Sequence, residues 1–201
     1  MKLYLNKTSP YARLVMVVLH EKALIDRVDL VWTDPWASPE ALLAVNPLAK
    51  VPALLTDDGQ SVVESGCICD YLDHLGAGRP LLPATLPSRL GALRKYGLGR
   101  GLIDVAFGVT IDRRFFPRDQ QSVLAARWLQ AVGLSIKEIE RDVPLTPEGM
   151  PPDMGDLAIA VGLGYVTFRL PEVAWRESAP RVARWVDMIS MRPSMQRTVP
   201  E

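Results

Sequence analysis

Cysteine is scarce in this sequence, and the two present, Cys67 and Cys69, stand one residue apart. Inside a helix, residues two apart point about 200° away from each other, so neither a disulfide nor a shared metal fits the pair. Both read as small buried hydrophobes. The loop ahead of the first predicted helix carries Ser9 and no cysteine, which excludes dithiol exchange there. Histidine is just as rare: His20 and His74 have no partners at ligand spacing, so they read as surface or helix-end residues and no metal is expected. Charge of one sign is also lacking. With 23 basic and 23 acidic residues the formal net charge is zero, which leaves no electrostatic footprint for nucleic acid or an anionic membrane. Like-charge runs such as Arg113-Arg114 and Asp57-Asp58 are short, solvated stretches. The longest apolar run, residues 157–166, is ten residues and too short for a bilayer. Lys2 is followed by three apolar-type residues and then Asn6-Lys7-Thr8, too little for a secretory h-region, so the expectation is a cytoplasmic protein. There is no repeat and no low-complexity tract.

What remains is ordinary globular composition, 48% apolar and 23% charged over 201 residues, enough for one large or two modest domains. Residues 2–5 read as a strand, 10–22 as a helix with Leu14, Val15, Val18 and Leu19 inward, and 28–32 as a second strand. Two more short strands flank the turn Asp57-Asp58-Gly59, and a helix with Ile68, Tyr71, Leu72 and Leu75 on one face follows. That order predicts an α/β thioredoxin-like domain over residues 1–77. Residues 78–87, rich in helix breakers, read as a linker. Residues 88–201 carry only helical periodicity and predict an all-α domain.

Within it, 88–114 is one long helical segment with weak points at Gly97, Gly99, Gly101 and Gly108. Asp119 is placed to cap a helix running to Val143, with Val123, Ala126, Leu129, Val132, Ile136 and Ile139 along one face. After a loop with four prolines, residues 154–170 are apolar nearly all round, the mark of an enclosed helix, and Asp153 with Asp156 forms a capping box at its start. Ser178 is the expected cap of a last helix bearing Val182, Trp185, Val186 and Ile189 and ending at Pro193.

Chemistry concentrates in Asn46-Pro47-Leu48-Ala49-Lys50-Val51-Pro52-Ala53-Leu54, answered by Glu64-Ser65. Pro52 lacks an N–H and belongs at the first residue of a strand; a cis bond there would expose the N–H and C=O of Val51 to an extended peptide. Ser65 opens a helix, so its hydroxyl and the first free N–H groups suit a carboxylate. Glu64 suits an ammonium. Backbone pairing, an anion site and a cation site so close together fit a small zwitterionic peptide. Ser9-Pro10 is a helix start whose positive end favours negative charge, and Arg13 stands one turn further on, where it could bias a thiolate held there, an exposed helix arginine being the plainer reading.

These segments together resemble the cytosolic glutathione transferase family. Thr8-Ser9-Pro10-Tyr11-Ala12-Arg13 resembles the family's first loop and helix start, Glu21-Lys22-Ala23-Leu24 its usual Glu-Lys-Gly-Leu ending, and Asp153-Met154-Gly155-Asp156 its central N-capping box. Trp185 and Arg192-Pro193-Ser194 resemble its last helix and tail, and Tyr165-Val166-Thr167-Phe168-Arg169 suggests a bacterial, serine-type-like branch. The resemblance implies glutathione as co-substrate, bound through Lys50, Val51, Pro52, Glu64 and Ser65, with Ser9 as the catalytic group that donates to the bound thiolate. Tyr4 is the competing donor, although within a strand it is expected to face the core. Trp36 falls in a loop where the family places glycyl-end contacts, without a matching pattern here. Further implied are an electrophile pocket built from Tyr11, Phe107 and Arg113, a homodimer, and transfer to a small hydrophobic electrophile. The alternative is a weakly catalytic or non-catalytic binding or stress-regulatory protein of the same fold.

Overall fold

The structure, a computed structural model, describes residues 1–117, 120 and 122–200. They divide into two compact units, Met1–Pro80 together with the tail from Pro193, and Leu81–Arg192.

The first unit is built on a four-stranded sheet: β1 Lys2–Leu5, β2 Asp29–Trp32, β3 Ala53–Leu55 and β4 Ser61–Val63. Strand order is β2-β1-β3-β4, with β1 parallel to β2 and antiparallel to β3, and β3 antiparallel to β4. Helix α1, Pro10–Glu21, crosses from β1 to β2; a single turn α2, Glu40–Leu43, precedes β3; and α3, Ser65–Leu75, follows β4 and packs on α1. This is a thioredoxin-like domain, as the alternation of periods in the sequence predicts. α1 buries Leu14, Val15, Val18 and Leu19 as expected, and Val17 as well. Its end is fixed by a buried ion pair. Lys22, 2% exposed, holds its ammonium 3.0 Å from Asp73 of α3 and donates to the Arg79 carbonyl at 3.1 Å. Removing one partner of such a pair costs about 3–5 kcal/mol, because the other charge is left buried alone. Gly76 is needed beside it, since a Cβ there would meet Lys22 Cβ at 2.6 Å.

The second unit is helical: α4 Leu86–Phe115, α5 Val123–Asp142, α6 Met154–Arg169, the single turn α7 Trp175–Ser178, and α8 Pro180–Ser190. α6 runs through its centre, with every residue from Met154 to Leu163 buried. The glycines of α4 do not break it. Gly99 is a contact point instead, for a Cβ there would sit 2.5 Å from the backbone of Ala158 and Ile159 on α6. The same holds for Gly155 of α6, 2.4 Å from the Ala92 carbonyl oxygen of α4.

Two helix starts differ from expectation. α5 begins at Val123, capped by Ser122, whose Oγ accepts the Ala125 N–H at 3.2 Å and donates to the buried Asp112 carboxylate; Asp119 lies outside the described residues. Ser178 does not cap α8: its hydroxyl donates to the Trp175 carbonyl of α7 at 3.1 Å. Pro180 is already the first helical residue of α8, and Ala179 before it has no capping side chain. The free N–H groups of Arg181 and Val182 go to the Glu140 carboxylate of α5, at 3.0 and 2.8 Å. Arg181 returns the contact by donating to the carbonyls of Glu140 at 2.8 Å, Val143 at 3.1 Å, and Ile139, closing the end of α5. α8 ends at Ser190, and Pro193 opens a further short turn, Pro193–Gln196, rather than only stopping the helix. Among the described residues no helix is long and apolar enough to cross a membrane.

Candidate functional site

Sheet register decides what meets. Leu5 pairs with Trp32 in parallel, Tyr4 pairs with Ala53, and Ala53 pairs with Val63. The end of β1, the end of β2, the start of β3 and the end of β4 therefore lie at one end of the sheet. Ser9 follows β1, Lys50-Val51-Pro52 precedes β3, and Glu64-Ser65 follows β4. Ser9, Lys50, Val51, Pro52, Glu64 and Ser65 thus emerge side by side, at the strand ends where α1 and α3 present their N-termini.

Each is held locally. Ser9 is the N-cap of α1, half-buried, and its Oγ accepts the Ala12 N–H at 3.2 Å. The loop before it is pinned by Asn6, which sequence reading passed over. Its Oδ1 accepts the N–H and hydroxyl of Thr8, both at 3.0 Å, and its Nδ2 donates to Thr33 O at 3.2 Å. Asn46, 2% exposed, does the same for the second loop: Nδ2 donates to Lys50 O at 2.8 Å, and Oδ1 accepts the Leu48 N–H at 3.1 Å. Asparagine directly before a turn is the signal that marks both. Lys50 is exposed, Pro52 is buried, and the Val51–Pro52 peptide bond is cis. Among the described residues the N–H and C=O of half-buried Val51 have no hydrogen-bond partner.

The helix start at residue 65 is more closely built than expected. Ser65 is not the cap but the first helical residue, 2% exposed; the N-cap is Glu64, at φ 73° and ψ 127°. Such a backbone is costly for a side chain with a Cβ and persists where surroundings fix it. The Glu64 carboxylate reaches forward over the helix end, accepting the Gly66 N–H at 2.7 Å and the Ser65 hydroxyl at 3.1 Å. The donors that suit a ligand's carboxylate are thus partly satisfied by the chain itself.

Tyr4 packs in a core cluster with Leu42, Val45 and Ala53, inside the sheet as its strand position predicts. Cys69 is buried, whereas Cys67 is exposed and so is no core hydrophobe; neither forms a disulfide. Trp36 is exposed, in a turn where the Asp34 carboxylate accepts its N–H at 3.0 Å; Trp32 is also exposed, and the Lys7 ammonium stands 6.0 Å from its ring centre. Of the three electrophile-pocket residues, Tyr11 is half-buried in the first turn of α1, while Phe107 and Arg113 belong to α4 in the second unit. Arg113 pairs with Glu172 at 2.6 Å. Arg13 is not the exposed helix arginine the sequence suggests: burial pushes its guanidinium down to about 10.

A family model for the N-terminal domain of glutathione S-transferases matches residues 8–75. Over 100% of this chain and 98% of its own length, a glutathione transferase family member from Pseudomonas fluorescens Pf-5, crystallised with glutathione, is 33% identical with a TM-score of 0.93. This chain belongs to the glutathione transferase family. A second Pf-5 family-member structure, with bound S-(propanoic acid)-glutathione, is 32% identical over 100% of both chains, TM-score 0.87. Among curated glutathione-transferase-like proteins, the uncharacterized YibF of Escherichia coli K12 is 27% identical over 204 residues, covering 100% of this chain and 98% of YibF.

Proposed function

We propose that this chain is a glutathione transferase that binds glutathione as its thiolate and transfers it to a small hydrophobic electrophile. One observation carries the reading: the strand register gathers an unpaired backbone N–H and C=O at Val51, the donor-rich start of α3, and the hydroxyl at the start of α1 at one end of the sheet. Extended peptide backbone pairs with Val51, as a strand does with a free edge. Lys50 takes the glycyl carboxylate. The Glu64–Ser65 end of α3 takes the zwitterionic γ-glutamyl head, its carboxylate at the helix N-terminus and its ammonium at Glu64. The thiol then reaches Ser9. The Ser9 Oγ accepts the Ala12 N–H and keeps its own proton for the sulfur, so a thiolate there gains a charge-assisted hydrogen bond at the positive end of a helix. The thiolate forms a C–S bond with the electrophile, and the leaving group departs with the bonding pair.

The relatives crystallised with glutathione and with an S-alkylated glutathione support this substrate class. The active form is proposed to be a homodimer of chains divided at residues 77 and 88. A second reading, a binding protein with little catalysis, is favoured by the Glu64 carboxylate, which already holds the Gly66 N–H. Calorimetric titration with glutathione, followed by a conjugation screen over halogenated aromatics, epoxides and hydroperoxides, tests both. No glutathione binding refutes the first reading and selects the second, as does binding without turnover.

A further inference from the structure

Arg169, the last residue of α6, is half-buried and held in place without an anion. Its Cζ lies 4.3 Å from the ring centre of Phe168. Stacking of that kind orients the planar guanidinium and uses none of its N–H donors. One turn back on the same helix face, Tyr165 is 3% exposed, and its hydroxyl meets both Arg169 and Thr110 of α4. Burial keeps that phenol above its ordinary 10.0 against the pull of Thr110 and Arg169, so it stays a hydroxyl. Thr110 donates its own hydroxyl proton to the Ala106 carbonyl at 2.9 Å, which leaves its oxygen to accept from Tyr165. Two hydroxyls thus tie Arg169 to the backbone of α4. The rest of the guanidinium is unanswered. Its Nε is buried with no hydrogen-bond partner, and among the described residues no carboxylate pairs with it. Arg113, one turn beyond Thr110, supplies the contrast, for it pairs with Glu172 at 2.6 Å. Glu172 is the acidic residue closest to Arg169 in sequence, and it is committed to Arg113. Two arginines against one glutamate leave this end of the α4–α6 pair with one positive charge.

We propose that Thr110, Tyr165 and Arg169 form a binding site within the second unit for the carboxylate of a small organic acid. Arg169 supplies the charge, and the Tyr165 and Thr110 hydroxyls fix where it sits. A planar guanidinium matches a planar carboxylate, and one uncompensated charge matches a monoanion; a phosphate dianion would bring a second charge with nothing to meet it. The half-buried rings of Phe168, stacked on Arg169, and of Phe107, one turn before Thr110, offer apolar surface to the remainder of the acid. Every group named belongs to the second unit, whereas the residues assigned to glutathione lie in the first. The inference therefore stands or falls apart from the glutathione reading. It also gives a ligand-binding role to the segment Tyr165-Val166-Thr167-Phe168-Arg169, of which the fold itself uses the buried Val166.

The test is calorimetry on the full-length protein, without glutathione, using benzoate and its neutral isostere benzamide at neutral pH. Benzoate should bind at one site per chain, and benzamide about tenfold or more weaker, since it lacks the charge. Arg169→Met should weaken benzoate about ten- to a hundredfold, the scale of one charge-assisted hydrogen bond, and leave benzamide within about twofold. Tyr165→Phe, which removes only the hydroxyl, should weaken benzoate by roughly two- to tenfold. Arg169→Lys should recover part of what Arg169→Met loses, because the charge returns without the planar fork. Arg169→Gln is the second neutral variant if Arg169→Met does not fold. No benzoate binding overturns the inference, and so does equal affinity for the two probes. Benzoate affinity unchanged in the neutral variants overturns it as well. If Lys50→Ala abolishes benzoate binding that Arg169→Met leaves intact, the anion sits elsewhere and the inference falls.

Discussion

Asp156→Ala is the substitution for which the structure yields the firmest magnitude. Asp156 is 0% exposed, at the third position of α6. Its carboxylate accepts the Asp153 N–H at 3.0 Å, the Thr146 N–H at 3.3 Å and the Thr146 hydroxyl, and it lies 2.8 Å from the Lys95 ammonium. Asp153 completes the capping box by accepting the N–H groups of Gly155 and Asp156 at 2.9 and 3.0 Å, and it also holds Lys95, at 2.7 Å. Alanine strips four contacts at once. An exposed cap lost this way costs about 0.5–2 kcal/mol, because water takes the freed donors. Water has little access here, so the orphaned donors keep their desolvation penalty of about 1–3 kcal/mol each. Lys95, 5% exposed, retains Asp153, and that restrains the total. The loss of one member of a buried charge cluster, about 3–5 kcal/mol, is the fitting scale.

For a chain of this length each kcal/mol moves the melting temperature by about 2–4 °C, so a fall of roughly 6–20 °C is expected. Scanning calorimetry reads it directly. Glutathione titration of the folded variant, well below its transition, should match the unmodified protein, since these contacts lie within the second unit. A fall under about 3 °C would refute the enclosed-cap reasoning, because it is no more than a solvent-exposed cap of about 1 kcal/mol would give.

The other perturbations separate competing effects. Ser9→Ala should leave glutathione affinity nearly unchanged while the ultraviolet thiolate signal and the conjugation rate fall about ten- to a hundredfold, the scale of one charge-assisted hydrogen bond; an unchanged rate makes Ser9 a cap alone. Gly99→Ala must push α4 from α6 and should destabilise by about 1–3 kcal/mol or more, whereas Gly97→Ala, with nothing within 4 Å of its new Cβ, should stabilise by about 0.5–1 kcal/mol; denaturant midpoints of opposite sign are the check. Burial, then the neighbouring Asp156 charge, raises the Asp153 carboxyl above its ordinary 3.8 against the pull of Lys95. The folded state therefore binds the extra proton, and this group's stabilising share is lost as pH rises from about 3.8 through the raised value. Asp153→Asn should flatten stability against pH in that window, at the cost of the cap, and an unchanged slope would contradict the assignment. Sedimentation at micromolar concentration is expected to give a dimer; monomer alone would remove the proposed homodimer.

Local chemistry explains why so much of the fold was legible. Ser9-Pro10 specifies both the cap and the first turn of α1, and no other part of the chain is needed to form them. The run after Asp153 is apolar on every side, and only an enclosed helix tolerates that. Tyr4 is inward because a strand alternates faces and Leu3 and Leu5 are equally apolar in a central strand. Failure comes where the partner is distant. Ser178 has good capping chemistry, but Pro180 sets α8 one residue later, and the carboxylate that satisfies its first donors stands 41 residues upstream at Glu140. No local pattern encodes that exchange.

At the site the same division holds, with a sharper consequence. The peptide-binding character of Val51-Pro52 and Glu64-Ser65 was readable because each is a backbone property: a missing N–H, a strand start, a helix start. Their meeting is encoded one level up, in the pairing of Tyr4 with Ala53 and of Ala53 with Val63, which places three loops at one end of the sheet. Side-chain environments are encoded higher still. Arg13 looked solvated because its own helix gives it no cover, and the carbonyl it reaches is 182 residues away. Glu64 looked like a free acceptor because nothing in its neighbours foretells φ 73° or a carboxylate folded back over Gly66. The residues whose surroundings escaped the sequence are the charged ones at the start of α1 and α3. At the start of α3 a ligand's carboxylate would meet donors that the Glu64 carboxylate already holds, so the proposed binding there must displace part of the chain's own cap.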